Sequence, residues 1–215
     1  VAPYPSLENP VDLLKGEKFQ APLPPFGGME QVAWSPDGEK LAYCCKQSFG
    51  KTFAESTNSD IFIYDLKTGN TTNISSFNLG YDLDPVFSPN GNYIAWLSME
   101  KPGFESDKKR IIIHDFNSET TVDYSTTFDY SAENLVWNDK SNTLYFLSTI
   151  AATNQIFELN LDLKRITLLT QGDHDYNSLL FAKDRLITTK TTHAFPTEIF
   201  SISLQDNKET QLTFT

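Results

Sequence analysis

Several residue types that would support particular functions are scarce in this sequence of 215 residues. Its 17 Lys and Arg residues are outnumbered by 28 Asp and Glu residues, giving a formal net charge of −11. Its basic run Lys108-Lys109-Arg110 is short and lies beside Glu105 and Asp107. Because phosphate backbones and anionic lipids require clustered cations, a nucleic-acid or anionic-membrane partner is disfavoured. No stretch of about 18 apolar residues is present, so the sequence predicts no membrane span.

Cysteine and catalytic motifs are equally scarce. Cys44 and Cys45 are adjacent in a strand-like stretch, where neighbouring side chains point to opposite faces and a bond between them would need a strained turn. We therefore expect two free thiols, at least one of them packed. The sequence also lacks a Gly-x-Ser-x-Gly elbow, a His-Glu-x-x-His pair and a phosphate-binding Gly-rich loop. It predicts no catalytic residue and no cofactor in this chain.

Aromatic residues, by contrast, make up 13% of the chain, and they mark a repeat. Four aromatic anchor residues recur at separations of 53, 50 and 44 residues: Trp34, Phe87, Trp137 and Phe181. The first is followed by Ser35-Pro36-Asp37-Gly38 and the second by Ser88-Pro89-Asn90-Gly91, with degraded versions after the other two. Pro followed by Asp-Gly or Asn-Gly is typical of a tight turn between two strands.

Three more strand-like segments follow each anchor. The second strands are predicted at residues 41–45, 93–98, 144–149 and 186–190. The third strands are predicted at residues 61–66, 111–116, 156–161 and 199–204. The fourth strands are predicted to end at Ser75, Ser125, Thr170 and Thr213. This pattern predicts an all-β fold, a β-propeller with four consecutive four-stranded antiparallel blades.

The repeat also predicts the domain organisation. We expect residues 1–29 to be a linker or the remnant of a preceding blade, and residues 30–215 to form blades at about 30–75, 76–125, 126–170 and 171–215. Because the chain begins without Met and ends inside a strand-like stretch, we expect a segment of a seven- or eight-bladed propeller. The four blades could close on themselves or remain an open arc, whose uncovered edges would favour self-association.

The links between strands indicate where binding residues lie. The link from the second to the third strand spans 20, 17, 12 and 13 positions in the four units, whereas the other turns are nearly uniform. In an antiparallel blade this loop and the blade-to-blade loop emerge on the same face. Variable loops on a rigid scaffold commonly carry binding residues. Residues 46–59 and 99–109 are therefore the main candidates, with 151–155 and 191–198 as shorter contributors.

Six loop residues are the candidate substrate-binding set: Glu100, Phe104, Glu105, Phe53, Glu55 and His193. Glu100 and Glu105 flank Phe104, and carboxylates beside an aromatic ring can hold a ligand ammonium group by ion pairing and a cation–π contact. Phe53 and Glu55 offer the same chemistry in the preceding loop. The alternative interpretation is a solvent-exposed loop of mixed charge.

Other polar residues are interpreted as structural. His114 occupies the third-strand position that Tyr64, Leu159 and Ile202 take in the other units. Asp65 and Asp115 share one repeated position near a strand end, which favours a role in turns. Asp173-His174-Asp175 lies in a blade-to-blade loop without a partner cluster, so we predict no metal site there.

The longer sequence phrases resemble the propeller of prolyl-oligopeptidase-type serine peptidases, in particular bacterial dipeptidyl peptidase V and acylaminoacyl-peptidase-like proteins. These phrases are Trp34-Ser35-Pro36-Asp37-Gly38, residues 56–61, residues 85–96, Ser98-Met99-Glu100 and Gln211-Leu212-Thr213-Phe214. The resemblance covers almost all of residues 22–215. It implies a propeller that caps an α/β-hydrolase domain bearing Ser, Asp and His, and that in dipeptidyl peptidases supplies carboxylates for the substrate amino terminus. This chain lacks that domain, so no triad residue is carried over.

The resemblance leads to the following functional expectations. The chain would gate and position peptide substrates for a serine exopeptidase, with the α/β-hydrolase domain of the same parent chain as its partner, in a secreted or periplasmic protein. The alternative is a non-enzymatic periplasmic interaction propeller like the Tol-system protein, because many propellers share the Ser-Pro-Asp-Gly turn. A sugar-active propeller would need inward carboxylates, whereas the repeated inner-strand positions carry Trp, Phe, Val and Ala.

Overall fold

The computed structural model describes residues 10–25 and 27–215, and nearly all of its regular structure is β-strand. Sixteen strands form four separate four-stranded antiparallel sheets, each built from four strands consecutive in the chain. A 3-10 turn at Met29–Gln31 precedes the first strand, and a short helix, α1 (Lys51–Glu55), lies in the link between the second and third strands. The predicted all-β architecture of four propeller blades is confirmed.

The strands are numbered β1 to β16 in chain order. The first sheet comprises β1 (Val32–Trp34), β2 (Lys40–Cys45), β3 (Asp60–Asp65) and β4 (Thr71–Asn73). The second comprises β5 (Asp82–Phe87), β6 (Tyr93–Ser98), β7 (Arg110–Asp115) and β8 (Thr120–Asp123). The third comprises β9 (Glu133–Trp137), β10 (Thr143–Ile150), β11 (Thr153–Asn160) and β12 (Arg165–Leu168). The fourth comprises β13 (Asp175–Ala182), β14 (Arg185–Thr191), β15 (Glu198–Ser203) and β16 (Glu209–Gln211).

The turn after each of the first three anchors is held by one side chain. In the first sheet the backbone N–H of Lys40 donates to Ser35 Oγ at 2.8 Å, while Gly38 takes the left-handed conformation with φ of 72°. Ser88 accepts from the Tyr93 N–H in the same way at 3.0 Å. In the third sheet Asn138 replaces the serine, and its Oδ1 accepts from the N–H of Thr143 at 3.2 Å. The degraded motif therefore keeps the hydrogen bond that shapes the turn.

A second repeated contact explains the hydroxyl residue after every fourth strand. Each hydroxyl oxygen accepts a hydrogen bond of 2.9 Å from the backbone N–H of the Ile that occupies the same place in the third strand. The pairs are Ser75 with Ile61, Ser125 with Ile111, Thr170 with Ile156 and Thr213 with Ile199. The hydroxyl side chain replaces a backbone acceptor at this point. The fourth strands therefore end two residues earlier than predicted.

Successive sheets pack face to face through the anchor residues. Phe87 packs with the core between the first and second sheets, and Trp137 packs with the core between the second and third. Phe181 stacks on Tyr145 with ring centroids 5.9 Å apart at the third interface. Buried apolar faces of this kind provide most of the stabilisation of a propeller.

The two ends of this series differ from its interior. Trp34, the first anchor, is 48% exposed, although Leu14, Phe19 and Ala21 cover other residues on that face of the first sheet. On the fourth sheet Leu180 is 65% exposed. Within the described residues the fourth sheet makes no more than marginal contact with the first. Of the two alternatives, the structure therefore has the open arc.

Candidate functional site

The loops from second to third strands and the links between sheets lie at one face of the arc, which we call the variable-loop face. The two long loops comprise residues 46–59 and 99–109, whereas β10 and β11 are joined by only Ala151 and Ala152. The shortest candidate loop, 151–155, is therefore mostly strand, because β10 and β11 extend further than predicted. The opposite face carries the uniform turns.

Loop 46–59 is folded around one lysine. Lys46 is only 6% exposed, and its Nζ donates to the carbonyl oxygens of Phe53 and Ser56, at the C-terminal end of α1. The same ammonium lies 4.3 Å from the centroid of the Phe53 ring. A cation at the C-terminal end of a helix satisfies free carbonyls. Burial lowers the pKa of Lys46, and the charge of Glu105 opposes that shift.

Loop 99–109 is closed by Asp107. Its Oδ2 accepts from the backbone N–H groups of Glu100 at 3.0 Å and Lys101 at 2.8 Å. This leaves Phe104 at the tip, 48% exposed, with the Lys101 ammonium 5.6 Å from its ring centroid. The loop thus has a fixed base and presents an aromatic ring to solvent.

The two long loops contact each other. The N–H of Gly103 donates to Thr57 Oγ1 at 2.7 Å, and Tyr81 in the link between the sheets lies with its hydroxyl 3.5 Å from Glu105 Oε1. Burial, followed by the charge of Glu105, raises the pKa of Tyr81. The two loops that carry four of the predicted site residues are therefore in contact; these residues are Glu100, Phe104, Glu105 and Phe53.

The other two predicted residues lie outside this group. Glu55 is exposed and forms an ion pair of 3.0 Å with Lys51 within α1. His193 lies exposed in the loop between β14 and β15, on a different sheet from the two long loops. The adjoining cavity of about 460 Å³ is lined by Phe195 and Phe200 rather than by His193.

Sequence reasoning missed a buried polar cluster beneath loop 99–109, which we call the Asp82 cluster (Asn78, Asp82, Trp96 and Arg110). Asp82 is fully buried, and its Oδ1 accepts from Asn78 Nδ2 and Trp96 Nε1, each at 3.1 Å. Burial raises its pKa to about 6. A signal was present, because the positions of Asn78, Asp82 and Trp96 carry apolar residues one repeat later.

Sequence reasoning also missed carboxylates beside the inner strands. A cavity of about 400 Å³ is lined by Glu30, Asp84, Glu133 and Lys109, together with uncharged residues of three sheets. Asp84 lies at an irregularity of the β5–β6 pairing and has φ of 53°. Burial raises its pKa to about 6, while the charge of Lys109 opposes the shift. The repeated inner-strand positions carry Trp, Phe, Val and Ala, but irregular pairing places a further residue, Asp84, beside this cavity.

The residues interpreted as structural have structural contacts. His114 Nδ1 lies 2.9 Å from Thr121 Oγ1, and Asp65 Oδ1 accepts from the N–H groups of Lys67 and Thr68 in its turn. His174 packs edge-on against Tyr176 at 4.8 Å. Cys44 and Cys45 are free and buried, as predicted.

Two further findings concern metal-ion sites and membrane-spanning helices. Across residues 10–25 and 27–215, no group of three or more His, Cys, Asp or Glu side chains is arranged to hold a metal ion. In the same part of the chain, none of the helices has the length and apolar character needed to cross a bilayer.

Comparisons with known proteins agree with this architecture. Residues 31–215 match the family model described as the TolB beta propeller domain (PD40). Dipeptidyl-peptidase 5 of Porphyromonas gingivalis is 38% identical over 192 residues, a region that covers 89% of this chain but 28% of that relative. The chain thus spans under a third of the relative's length. This similarity confirms the resemblance to peptidase propellers inferred from the sequence phrases.

Solved structures show the same fold. TolB from Acinetobacter baumannii matches with a TM-score of 0.62 and 19% identity, covering 85% of this chain and 43% of that one. Porphyromonas gingivalis dipeptidyl peptidase 4 matches with a TM-score of 0.59 and 12% identity, covering 84% of this chain and 32% of that one. From its sheets, its repeated turns and the family model that covers residues 31–215, the chain belongs to the TolB β-propeller domain family.

Proposed function

We propose that this chain is the propeller part of a serine exopeptidase of the dipeptidyl or acylaminoacyl-peptidase type, where it gates and positions peptide substrates. The α/β-hydrolase domain that would carry the catalytic triad lies outside this chain and is its proposed partner. A secreted or periplasmic location belongs to the same proposal, which the similarity to dipeptidyl-peptidase 5 supports.

One observation carries the proposal: loop 99–109 offers two carboxylates and an aromatic ring on a fixed base. The Glu100 side chain is 71% exposed, although its Oε2 lies 3.9 Å from Arg110 Nη1. Glu105 is exposed beside the hydroxyl of Tyr81. Exposed carboxylates next to an aromatic face suit a primary ammonium group, such as the free amino terminus of a short peptide.

Binding of a free amino terminus tests this role. The probes are Ala-Phe-amide and its N-acetyl derivative, which lacks the ammonium charge, measured by ligand-observed NMR titration. We expect the free peptide to bind in the millimolar range and the acetylated peptide to bind at least tenfold more weakly, since tenfold corresponds to about 1.4 kcal/mol. Equal binding of the two peptides would contradict the proposal.

Matched variants locate the site. Glu100→Gln combined with Glu105→Gln removes both charges with little change in shape, so we expect it to abolish the preference for the free peptide. Glu119→Gln is the control, because Glu119 is an exposed carboxylate in a turn of the opposite face. If the control and the double variant lose the same preference, the effect reflects overall charge and not this loop.

A non-enzymatic interaction propeller is the second candidate, favoured by exposed apolar side chains on the variable-loop face. These are Phe49, Phe77, Leu79, Phe104, Tyr130 and Phe195. Such patches commonly mark protein contacts. The parent reading frame separates the candidates: a Gly-x-Ser-x-Gly elbow within a few hundred residues after Thr215 supports the peptidase, and its absence supports the interaction propeller.

A further inference from the structure

The Asp82 cluster interrupts an otherwise apolar interface between sheets. The equivalent positions one repeat later are Phe128 for Asn78, Ala132 for Asp82 and Phe146 for Trp96, all buried. The equivalence follows from the backbone, because the N–H of Asn78 donates to the carbonyl oxygen of Ser75 as the N–H of Phe128 donates to that of Ser125. A buried carboxyl group is costly compared with apolar packing. The fold does not require it, since the third sheet packs without one.

The cluster holds both ends of loop 99–109. Asn78 Nδ2, which donates to Asp82, also donates to the carbonyl oxygen of Met99 at 2.9 Å, where the loop begins. Asn78 Oδ1 accepts from Arg110 Nη2 at 3.3 Å, where β7 begins and the loop has ended. The side-chain amide of Asn78 therefore links the two ends of the loop, and its hydrogen bond to Asp82 fixes its orientation.

Arg110 connects the cluster to the proposed binding residues. Its Nη1 lies 3.9 Å from Glu100 Oε2 and 3.7 Å from Asp123 Oδ2, and its Nη2 donates to Ser98 Oγ at 3.2 Å. The Arg110 side chain is 17% exposed. Its interactions are consequently screened less by solvent than those of surface charges.

Asp82 itself is incompletely paired. Its Oδ2 is buried and has no hydrogen-bond partner within the described part of the chain. The hydroxyl groups of Ser98 and Ser75 lie close enough to lower its pKa, but burial has the larger, opposite effect. Arg110 reaches Asp82 indirectly, through Asn78 and Ser98, so it does not neutralise this carboxylate by a direct ion pair. The neutral form suits this environment better than the ionised form.

Other titratable groups surround Asp82 from each neighbouring strand. Cys44 of β2 donates from Sγ to the Asp82 carbonyl at 2.9 Å, and burial raises the pKa of that thiol. Asp60 of β3 accepts a hydrogen bond at its Oδ2 from Asn73 Nδ2 at 2.9 Å. Asp123 of β8 pairs with Arg110. Asp84, two residues further along β5, has its own carboxyl group and therefore serves as a separate control.

We propose that protonation of Asp82 controls loop 99–109: the neutral acid keeps Asn78 and Arg110 in place, whereas the ionised acid draws Arg110 away from Glu100 and loosens the loop. This inference rests on the proposed function only where it concerns ligand affinity. The proton leaves Asp82 Oδ2 for solvent, and no covalent step is involved. Ammonium binding at the loop would accordingly be stronger below neutral pH.

Hydrogen exchange tests the control of the loop without any ligand. Protection factors of the amides in loop 99–109 are compared at about pH 5 and about pH 7.5, after correction for intrinsic exchange. In the wild-type chain we expect protection to fall about tenfold at the higher pH, as 1.4 kcal/mol of lost local stability would produce. Asp82→Asn, which cannot ionise, should show the same protection at both values.

Controls separate this proposal from general effects and from the proposed function. Asp84→Asn should keep the wild-type dependence on pH at the amides of residues 100–107, because the loop residue whose charge acts on Asp84 is Lys109, the last of the loop. Asn78→Leu should loosen the loop at both pH values. A fall in protection that persists in Asp82→Asn would overturn the proposal. If the loop responds as expected but Ala-Phe-amide never binds, the proposed function fails while the control by Asp82 stands.

Discussion

Substitution of Asp82 by Asn should change how the stability of the whole chain depends on pH. Asp82 is fully buried, and burial raises its pKa from 3.8 to about 6. A raised carboxyl pKa means that the folded state binds the proton more tightly than the unfolded state. Its stabilising effect is therefore complete below pH 3.8 and is lost as the pH rises through about 6.

The size of the effect follows from the shift. A shift of roughly two pKa units corresponds to about 3 kcal/mol at about 1.4 kcal/mol per unit. The free energy of unfolding of the wild-type chain should fall by this amount more than that of Asp82→Asn between about pH 4 and about pH 7.5. Asn keeps an oxygen for Trp96 Nε1 and Asn78 Nδ2, so little else should change.

Urea denaturation followed by tryptophan fluorescence measures this difference, since Trp96 contacts the substituted group. Subtracting the free energy of unfolding of Asp82→Asn from that of the wild-type chain at each pH cancels the contribution of Asp84 and of the other carboxylates. Parallel curves for wild type and Asp82→Asn across this pH range would refute the reasoning. Such a result would mean that water or a nearby hydroxyl group stabilises the buried carboxylate.

Three other predictions concern the hydroxyl residues after the fourth strands, the anchor residues and the exposed face of the fourth sheet. Ser125→Ala should lower the free energy of unfolding by about 1–3 kcal/mol in urea denaturation, because it leaves a buried backbone N–H without an acceptor; an effect near zero would show that the hydroxyl is dispensable. Trp137→Ala should cost about 3–5 kcal/mol in the same assay, and Trp34→Ala distinctly less because Trp34 is 48% exposed; equal costs would contradict the packing of the anchors. Leu180→Glu should reduce self-association in sedimentation velocity, whereas the exposed control Leu163→Glu should not, and a monomeric wild-type chain would remove the basis for this expectation.

The fold could be predicted from the sequence because its determinants are local and repeated. The turn at Ser35 and its counterpart at Ser88 need only a serine and a positive-φ residue within a few positions. The repeated hydroxyl residues after the fourth strands could also be recognised in the sequence, although their hydrogen bonds to the third strands could not. The fourth strands therefore end two residues earlier than predicted.

The site was predicted less completely because its geometry depends on distant parts of the chain. Helix α1 depends on the burial of Lys46, which no local pattern indicates. Asp82 reads in the sequence as one of many loop acids, and only packing against the preceding sheet buries it. Asp84 faces inward because the pairing of β5 with β6 is irregular. His193 was included by loop position alone, and the structure leaves it on a separate sheet.

Comparing the same position in all four blades distinguishes structural residues from candidate functional residues better than any single motif does. The residue directly before the repeated Ile of each third strand is polar in every sheet: Asp60, Arg110, Gln155 and Glu198. Three of them are tied to the fourth strand or the residues just after it by hydrogen bonds, so a polar residue there is structural. Arg110 keeps that role through Asp123 but is cationic and also extends to Glu100. The scaffold needs only a polar residue here that interacts with the fourth strand or the residues just after it. We therefore attribute the positive charge of Arg110 to its interaction with Glu100 in loop 99–109.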